Sequence, residues 1–231
     1  GFSLPPTWSG EPAGAYRGDR DSFLILVNGG SIVTDPSLRD AKLRDAQGNV
    51  IASGDVINTG KGPVDGMFRG LLIRNSEVGA ASIVIESILY RFVCGNHMLW
   101  GAIVDRAFRR RHIGKSVLRD VVREIGNIAR RWTDHSAAQD EAIIRLLIDR
   151  EIATTKEAVI DELRAMGATA EQAANAYDRC ERTEGASPRS FWGMAQGLTR
   201  ISQDAAYQDD RYNLDKLAGL VLARGAKLVA A

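Results

Sequence analysis

The sequence lacks long hydrophobic runs and is poor in cysteine. Its apolar runs, such as Leu146–Ile148, are short, whereas a membrane-spanning helix needs about 18 apolar residues or more. Residues 1–12 are polar and contain prolines, so we expect no signal peptide. Cys94 and Cys180 lie far apart, and a chain of 231 residues does not depend on a disulfide framework. We therefore expect both thiols to be reduced and buried, in a cytoplasmic protein with no membrane partner.

Patterns of catalytic and metal-binding residues are also scarce. The three histidines, His97, His112 and His135, show no metal-ligand spacing with the cysteines. Gly54–Gly62 resembles a phosphate-binding loop, but five residues separate its first two glycines where that loop has four, and no hydroxyl follows Lys61. We interpret this segment as a flexible loop. The sequence thus predicts a protein that is not an enzyme, with no cofactor, no metal ion and no small-molecule substrate.

One short pattern leaves an enzymatic alternative open. Asp40-Ala41-Lys42 matches half of a nuclease-type magnesium site, for which Asp21 or Asp35 could supply the second carboxylate. Three residues of this kind occur often by chance in a chain with 29 acidic residues. A solvated strand edge is the simpler interpretation of this segment.

The charge is unevenly distributed along the chain. The formal net charge is only +1, yet residues 106–131 contain nine Lys or Arg residues against two acidic residues, Asp120 and Glu124. Such a basic segment is typical of a surface that binds phosphates, and neighbouring aromatic residues could stack on unpaired bases. Trp132, at the end of the segment, is more typical of a core residue. The candidate nucleic-acid-binding residues are Arg106, Phe108, Arg109, Arg110, Arg111, Lys115, Arg119, Arg123 and Arg130.

The pattern of apolar residues predicts one α+β domain, mostly β over residues 1–112 and mostly helical over 113–231. Ser22–Val27 predicts a strand that ends at a turn formed by residues 28–30, and residues 47–49 predict a hairpin turn. Residues 81–93 are compatible with either a strand or a helix. Residues 94–97 predict a turn before Met98. The β-rich half is thus predicted as a series of antiparallel hairpins.

Helical signals dominate the second half. Apolar residues between Leu118 and Trp132 recur at spacings of three and four, which predicts an amphipathic helix. At about 100° per residue, four basic side chains share one face of this helix, namely Lys115, Arg119, Arg123 and Arg130. Asp120 and Glu124 project elsewhere, so we expect these four charges to lack partners on that face. Further helix starts are predicted at Thr154, Thr169 and Ser187, and helix ends at Gly167 and Gly225. The last helix is predicted over 213–223.

Three segments carry a resemblance to a known family. Gly70–Ser82 resembles the Asn-Ser-x-x-Gly segment of the phage/plasmid-like family called domain of unknown function 932. Leu89–Met98 is similar to its Arg-x-x-Cys-x-Asn-Gly-Met segment, although His97 stands where the family has glycine. Phe191–Arg200 resembles its C-terminal Trp-x-x-x-(Asn/Gln)-(Ala/Gly)-x-Thr helix. The resemblance covers roughly residues 65–225.

This resemblance implies a protein of phage or plasmid origin that acts in the bacterial host cell. The family's layout, a curved sheet followed by helices, looks like that of single-strand annealing proteins of the RecT, Erf and Red-beta kind. Such proteins need no catalytic residues, and they hold single-stranded DNA in a basic groove of a homo-oligomer. The leading hypothesis is therefore a single-stranded-DNA-binding protein that acts in recombination. The alternative is a non-enzymatic protein-interaction factor, either anti-defence or part of a phage assembly.

Overall fold

The protein has an α+β fold, seen in a computed structural model that describes residues 1–5, 14–17, 21–38, 43–44, 50–52, 66–76, 82–91, 96–99, 107–110, 117–183 and 186–227. The strands are β1 (Phe2–Ser3), β2 (Ala15–Arg17), β3 (Asp21–Thr34), β4 (Leu43–Arg44), β5 (Val50–Ala52), β6 (Gly66–Ser76), β7 (Ile83–Arg91), β8 (Asn96–Leu99) and β9 (Ala107–Arg110). The helices of the described part are α1 (Val117–Thr133), α2 (Ala137–Asp149), α3 (Lys156–Ala165), α4 (Ala170–Thr183), α5 (Phe191–Ser202) and α6 (Gln208–Lys227).

Three long antiparallel strands, β3, β6 and β7, form the centre of the main sheet. Strands β1 and β2 both pair with β3, on the side away from β6. On the other side, β8 and β9 lie one after the other along β7, with Ile88 opposite Leu99 and Ile85 opposite Phe108. The residue alternation along β9 therefore follows that of β7, which determines where the arginines of β9 point.

The expected turn after Val27 is wrong. Residues 21–34 form one strand, and both of its halves pair with β6. The register shifts between Asn28 and Ile32, whose partners Arg69 and Phe68 are adjacent in sequence, so residues 29–31 are extra residues on one strand. The Gly30 N–H donates to Asn28 Oδ1 at 3.1 Å. A β-bulge takes up the glycines and the chain does not reverse.

Burial and strand pairing decide three other predictions for the β-rich half. Residues 83–91 form a strand, β7, and this strand is buried on both faces, which removes the apolar–polar alternation that would have identified it. Strands β4 and β5 pair antiparallel, as the hairpin prediction requires. The predicted turn at 94–97 is wrong at its end, because Asn96 and His97 pair with β7 as part of β8. Residues 92–95 lie outside the described residues.

The helix boundaries are confirmed at some ends and wrong at others. Thr169 and Gln172 exchange capping hydrogen bonds, and Gly167, with φ of 110°, follows the end of α3. The N-cap of α3 is Thr155, one residue after the predicted Thr154. The N-cap of α5 is Ser190, because Ser187 and Pro188 lie in the preceding turn.

The last helix is longer than predicted. It covers Gln208–Lys227 and contains Gly225, which was expected to end it. A Cβ at Gly225 would lie 2.5 Å from Leu147 and 2.8 Å from Phe191. This glycine therefore allows three helices to approach closely, which is a different role from ending a helix.

The helices cover one face of the sheet, which we call the helix face. Met67, Ile85 and Leu89 of this face share one buried cluster with helix residues such as Trp132 and Trp192. The opposite face of the sheet has its own buried cluster, which includes Phe68, Leu72, Ile88 and Tyr90 and which α6 joins through Tyr212. Within the described residues, no helix has the length and apolar character needed to cross a membrane.

Candidate nucleic-acid interface

The structure divides the predicted basic segment among different parts of the fold. Phe108, Arg109 and Arg110 lie on β9, and Arg119, Arg123 and Arg130 lie on α1. Arg106, Arg111 and Lys115 lie outside the described residues.

Strand β9 points its side chains to both faces of the sheet. Because side chains alternate along a strand, Phe108 and Arg110 face one side and Arg109 faces the other. Phe108 is half-buried and packs against the core of the helix face, so most of its ring is committed to the protein interior. Arg109 is exposed on the opposite face. The sheet therefore separates Arg109 from the arginines of α1.

Helix α1 places three arginines on its outward face. Val121, Ile128 and Trp132 are buried on its inner face, as the apolar spacing predicts. Because residues three, four or seven apart share a helix face, the exposed residues Arg119, Arg123 and Arg130 lie together on the other side. Arg119 makes no hydrogen bond or ion pair to the residues that the structure describes. We call Arg119, Arg123 and Arg130 the arginine face.

The arginine face also carries apolar and open surface. Val122 is 61% exposed beside the arginines and adds apolar surface to this face. Gly126 lies between Arg123 and Arg130, and a Cβ at this position would meet nothing within 4 Å. Glycine costs about 1 kcal/mol relative to alanine inside a helix, and no neighbour within the described part requires it here. The gap leaves the helix backbone accessible to a close approach from outside.

One acidic residue neutralises part of this surface. Asp120 accepts from Arg110 at 2.8 Å and from Arg123 at 3.2 Å, and its side chain is only 16% exposed. The expectation that the basic charges on this face of α1 lack partners is therefore wrong for Arg123. Arg130 donates to Asn127 Oδ1 at 2.9 Å, which orients its guanidinium without removing its charge.

Trp132 belongs to the core. It is fully buried, the guanidinium of Arg69 lies 5.0 Å from its ring centroid, and the His135 ring stacks on it at 5.8 Å. Arg69 in turn donates to Asp140 at 2.5 Å and to Ser31 at 3.0 Å, which connects β6 to α2 and to β3. This ring cannot stack on a base unless the core opens.

A second polar cluster occupies the opposite face of the sheet. The guanidinium of Arg74 lies beside the contacting rings of Phe23 and Tyr212, 5.6 Å and 4.5 Å from their centroids, which are 5.8 Å apart. It also donates to Asp21, through Nε at 2.8 Å, and to Asp209 of α6 at 3.5 Å. These contacts attach the first half of α6 to the sheet.

Glu86 is the central acid of this second cluster. Tyr212 Oη donates to Glu86 Oε2 at 3.2 Å. Burial raises the pKa of the Glu86 carboxyl above its ordinary value, and the Tyr212 hydrogen bond and the cations Lys216, Arg109 and Arg74 offset only part of that effect. Burial, together with Glu86, raises the pKa of Tyr212 to about 12. No local sequence signal indicates this cluster, because its members come from four separate elements.

The carboxylates proposed for a nuclease site have other partners. Asp21 pairs with Arg74 at one end of β3, and Asp35 pairs with Arg91 at 2.8 Å beyond the other end. Both are held in ion pairs far from each other along the strand. Asp40, Lys42 and the glycine-rich segment 54–62 lie outside the described residues.

A polar cleft of about 690 Å³ lies between α4, the end of α5 and the start of α6. Four carboxylates and two guanidinium groups line it, so its electrostatic character disfavours a polyanion. The lining acids and arginines are Glu171, Asp178, Asp204, Asp210, Arg179 and Arg182.

Residues from the family-like segments meet in the core. Arg91, from the second segment, donates to Asp35 at 2.8 Å, and Gln196, from the third segment, donates to the same carboxylate oxygen at 3.4 Å. All three side chains are fully buried, as is Trp192. Arg91 and Gln196 of these two segments therefore connect the sheet to the helices through Asp35.

A comparison with protein families identifies the same family that these segments resemble. The model of the family described as "Domain of unknown function (DUF932)" matches residues 54–210. The chain belongs to the DUF932 family. No curated protein and no solved structure matches the chain.

The DUF932 match covers the candidate interface but not every contact that supports the fold. It includes β9, all of α1, Arg91 and Gln196. Asp35 and Tyr212 lie outside it, although they contact Arg91 and Glu86 inside it. In this DUF932 protein, residues beyond the matched segment therefore complete both polar clusters.

Proposed function

We propose that this protein binds single-stranded nucleic acid along the outward face of α1. The observation that carries the proposal is the arginine face, on which three exposed arginines lie together and, within the described residues, one of them, Arg123, has an acidic partner. With a rise of 1.5 Å per residue, Arg119 and Arg123 are separated by about 6 Å along the axis, and Arg130 lies about 10 Å further on. Cations in such a row can contact successive phosphates of one strand.

Two neighbouring features support a contact with a single strand. Exposed Val122 offers apolar surface to an unpaired base, and the gap at Gly126 lets a strand approach the helix backbone. Since Trp132 is buried and Phe108 packs against the core, aromatic stacking by these two residues contributes little to the proposed mode. Phosphate contacts would therefore supply most of the affinity, which predicts strong salt dependence.

The second and more specific part of the proposal is that the protein anneals complementary single strands. Its support is the family-level resemblance to single-strand annealing proteins, an argument from fold-level analogy alone. On this proposal the protein is a recombination factor of a phage or plasmid, acting as a homo-oligomer in the bacterial cytoplasm. Acceleration of the pairing of two complementary oligonucleotides, followed by fluorescence quenching, tests this part separately.

Fluorescence anisotropy with a labelled single strand and the matched duplex, at about 50 mM and 200 mM salt, tests the binding itself. We expect sub-micromolar binding that favours the single strand and weakens at the higher salt. Arg119→Glu with Arg130→Glu should weaken binding at least tenfold and reduce the salt slope by about 1.4, because each lost phosphate contact of a single strand contributes about 0.7.

The matched control makes the same charge change away from α1. Arg145→Glu with Arg164→Glu alters two exposed arginines on α2 and α3. Equal losses in the two double variants would show a general charge effect and reject this surface. Absence of binding by the unaltered protein at the lower salt would reject the proposed function itself.

A further inference from the structure

We propose that Asp120 is an internal competitor for the phosphates of the nucleic acid, and that binding exchanges its carboxylate for a phosphate at Arg110 and Arg123. This inference rests on the proposed function. Its basis is that one carboxylate accepts from both arginines, at 2.8 Å and 3.2 Å, and so occupies two guanidinium groups in the way that a phosphate oxygen pair would.

The burial of the three side chains favours such an exchange. The Asp120 side chain is 16% exposed, whereas those of Arg110 and Arg123 are 40% and 64% exposed. The Asp120 carboxylate is therefore mostly buried beneath the surface, and both guanidinium groups remain accessible to solvent. An approaching phosphate can contact them without moving α1.

The position of Asp120 also joins two elements of the site. Arg110 comes from β9 and Arg123 from α1, so the shared carboxylate keeps the two cations near each other across the gap between strand and helix. In the first turn of α1, an acidic residue also interacts favourably with the helix dipole. Asp120 thus stabilises the unbound surface while it reduces the positive charge available to a ligand.

The exchange makes a quantitative prediction for Asp120→Asn, which keeps the shape of the side chain and removes its charge. Binding of a labelled single strand at about 50 mM salt should become about fivefold tighter, in line with the loss of one partly exposed ion pair. The dependence of log affinity on log salt should change by less than about 0.7, because in the exchange Arg110 and Arg123 already contact phosphates in the complex of the unaltered protein.

Glu124→Gln is the matched control because it removes the same charge from the same helix. Glu124 accepts from Asn127 at 3.4 Å and contacts no arginine among the described residues. If the effect of Asp120 is specific, Glu124→Gln leaves affinity and salt slope nearly unchanged. Equal gains in the two variants, or no gain for Asp120→Asn, would overturn the proposal while leaving the proposed function intact.

A double-mutant cycle covers the case in which Asp120→Asn disturbs folding of the helix start. In an Arg123→Gln background, Asp120→Asn should give a clearly smaller gain in affinity than in the unaltered protein, because one of the two competing partners is already absent. Independent effects of the two substitutions would reject the exchange. Failure of the unaltered protein to bind at all is a separate result, which rejects the proposed function.

Discussion

Arginine occupies two opposite environments in this molecule. In the sheet, the side chains of Arg69 and Arg91 are 3% and 0% exposed, and each pairs with a carboxylate that is itself fully buried. On α1, Arg119 and Arg130 are exposed and make no ion pair within the described part of the chain. A guanidinium that is removed from water requires a carboxylate partner, whereas an exposed guanidinium remains hydrated.

This difference indicates which arginines can bind an external anion. Asp140 lies on α2, so its pair with Arg69 joins the sheet to a helix. Asp35 directly follows β3, and it joins Arg91 of β7 to Gln196 of α5. Both guanidinium charges are paired with carboxylates inside the fold and are not available to an external anion. Within the described residues, Arg119 and Arg130 of α1 are exposed and make no ion pair, and Arg123 pairs with Asp120, so the charge of the first two is available to a ligand.

The largest expected effect comes from breaking a buried pair. Arg91→Met leaves the Asp35 carboxylate buried and without its ion pair, although it still accepts from Ser37 N–H at 3.0 Å, from Ser37 Oγ–H at 2.6 Å and from Gln196 at 3.4 Å. We expect the free energy of unfolding to fall by about 3–5 kcal/mol, the usual result of removing one partner of such a pair. Urea unfolding at pH 7, followed by tryptophan fluorescence, measures this loss.

A second variant shows whether the charge of Asp35 causes the loss. Combining Arg91→Met with Asp35→Asn removes the uncompensated charge, and should recover a substantial part of the stability. If Arg91→Met alone costs less than about 1 kcal/mol, the buried pair does not connect the sheet and the helices as described.

A stability change of intermediate size is expected from substitution of Glu86, whose side chain is neither fully buried nor exposed. Its pKa is raised in the folded protein by burial, so the folded state binds its proton more tightly than the unfolded state does. The stability that this proton supplies is present below the unfolded pKa and is lost as the pH rises through the folded pKa. Ionised Glu86 therefore destabilises the protein at neutral pH.

Glu86→Gln should accordingly raise the free energy of unfolding at pH 7 and change it little at pH 4. The gain should be below about 1.5 kcal/mol, the range of a single hydrogen-bonding contact. Urea unfolding across pH 4–8 measures the difference between the two proteins. A loss of stability at pH 7 would show that the cations and Tyr212 outweigh burial at this site.

The sequence predicts local features of the fold well, and long-range ones poorly. The spacing of Val121, Ile128 and Trp132 indicates α1 directly, because a helix is determined by neighbours three and four residues apart. Residues 28–30 have the composition of a turn. Only the pairing of both halves of β3 with β6 shows that the chain forms a bulge here and does not reverse. The Asp35–Gln196 contact spans 161 residues, and no local pattern encodes it.

For the candidate interface, too, the sequence predicts the local geometry but not the contacts between separate elements. The 100° rotation per residue correctly places Arg119, Arg123 and Arg130 on one face of α1. Arg109 is close to them in sequence but lies on the opposite face of the sheet, because it belongs to a strand whose side chains alternate. The pairing of Asp120 with Arg110 depends on how β9 meets α1, which the sequence does not reveal.

The smallest expected effect is the stability change at the arginine face. Arg119→Ala and Arg130→Ala, made singly, should each change the free energy of unfolding by no more than about 0.5 kcal/mol, because neither side chain is buried or ion-paired within the described part of the chain. Alanine also has the higher helix propensity, which offsets the loss of the Arg130–Asn127 contact. Urea unfolding under the conditions used for Arg91→Met provides the comparison. A loss above about 2 kcal/mol at either position would mean that α1 packs through this face against another part of the protein, and the distinction between structural and ligand-binding arginines would then fail.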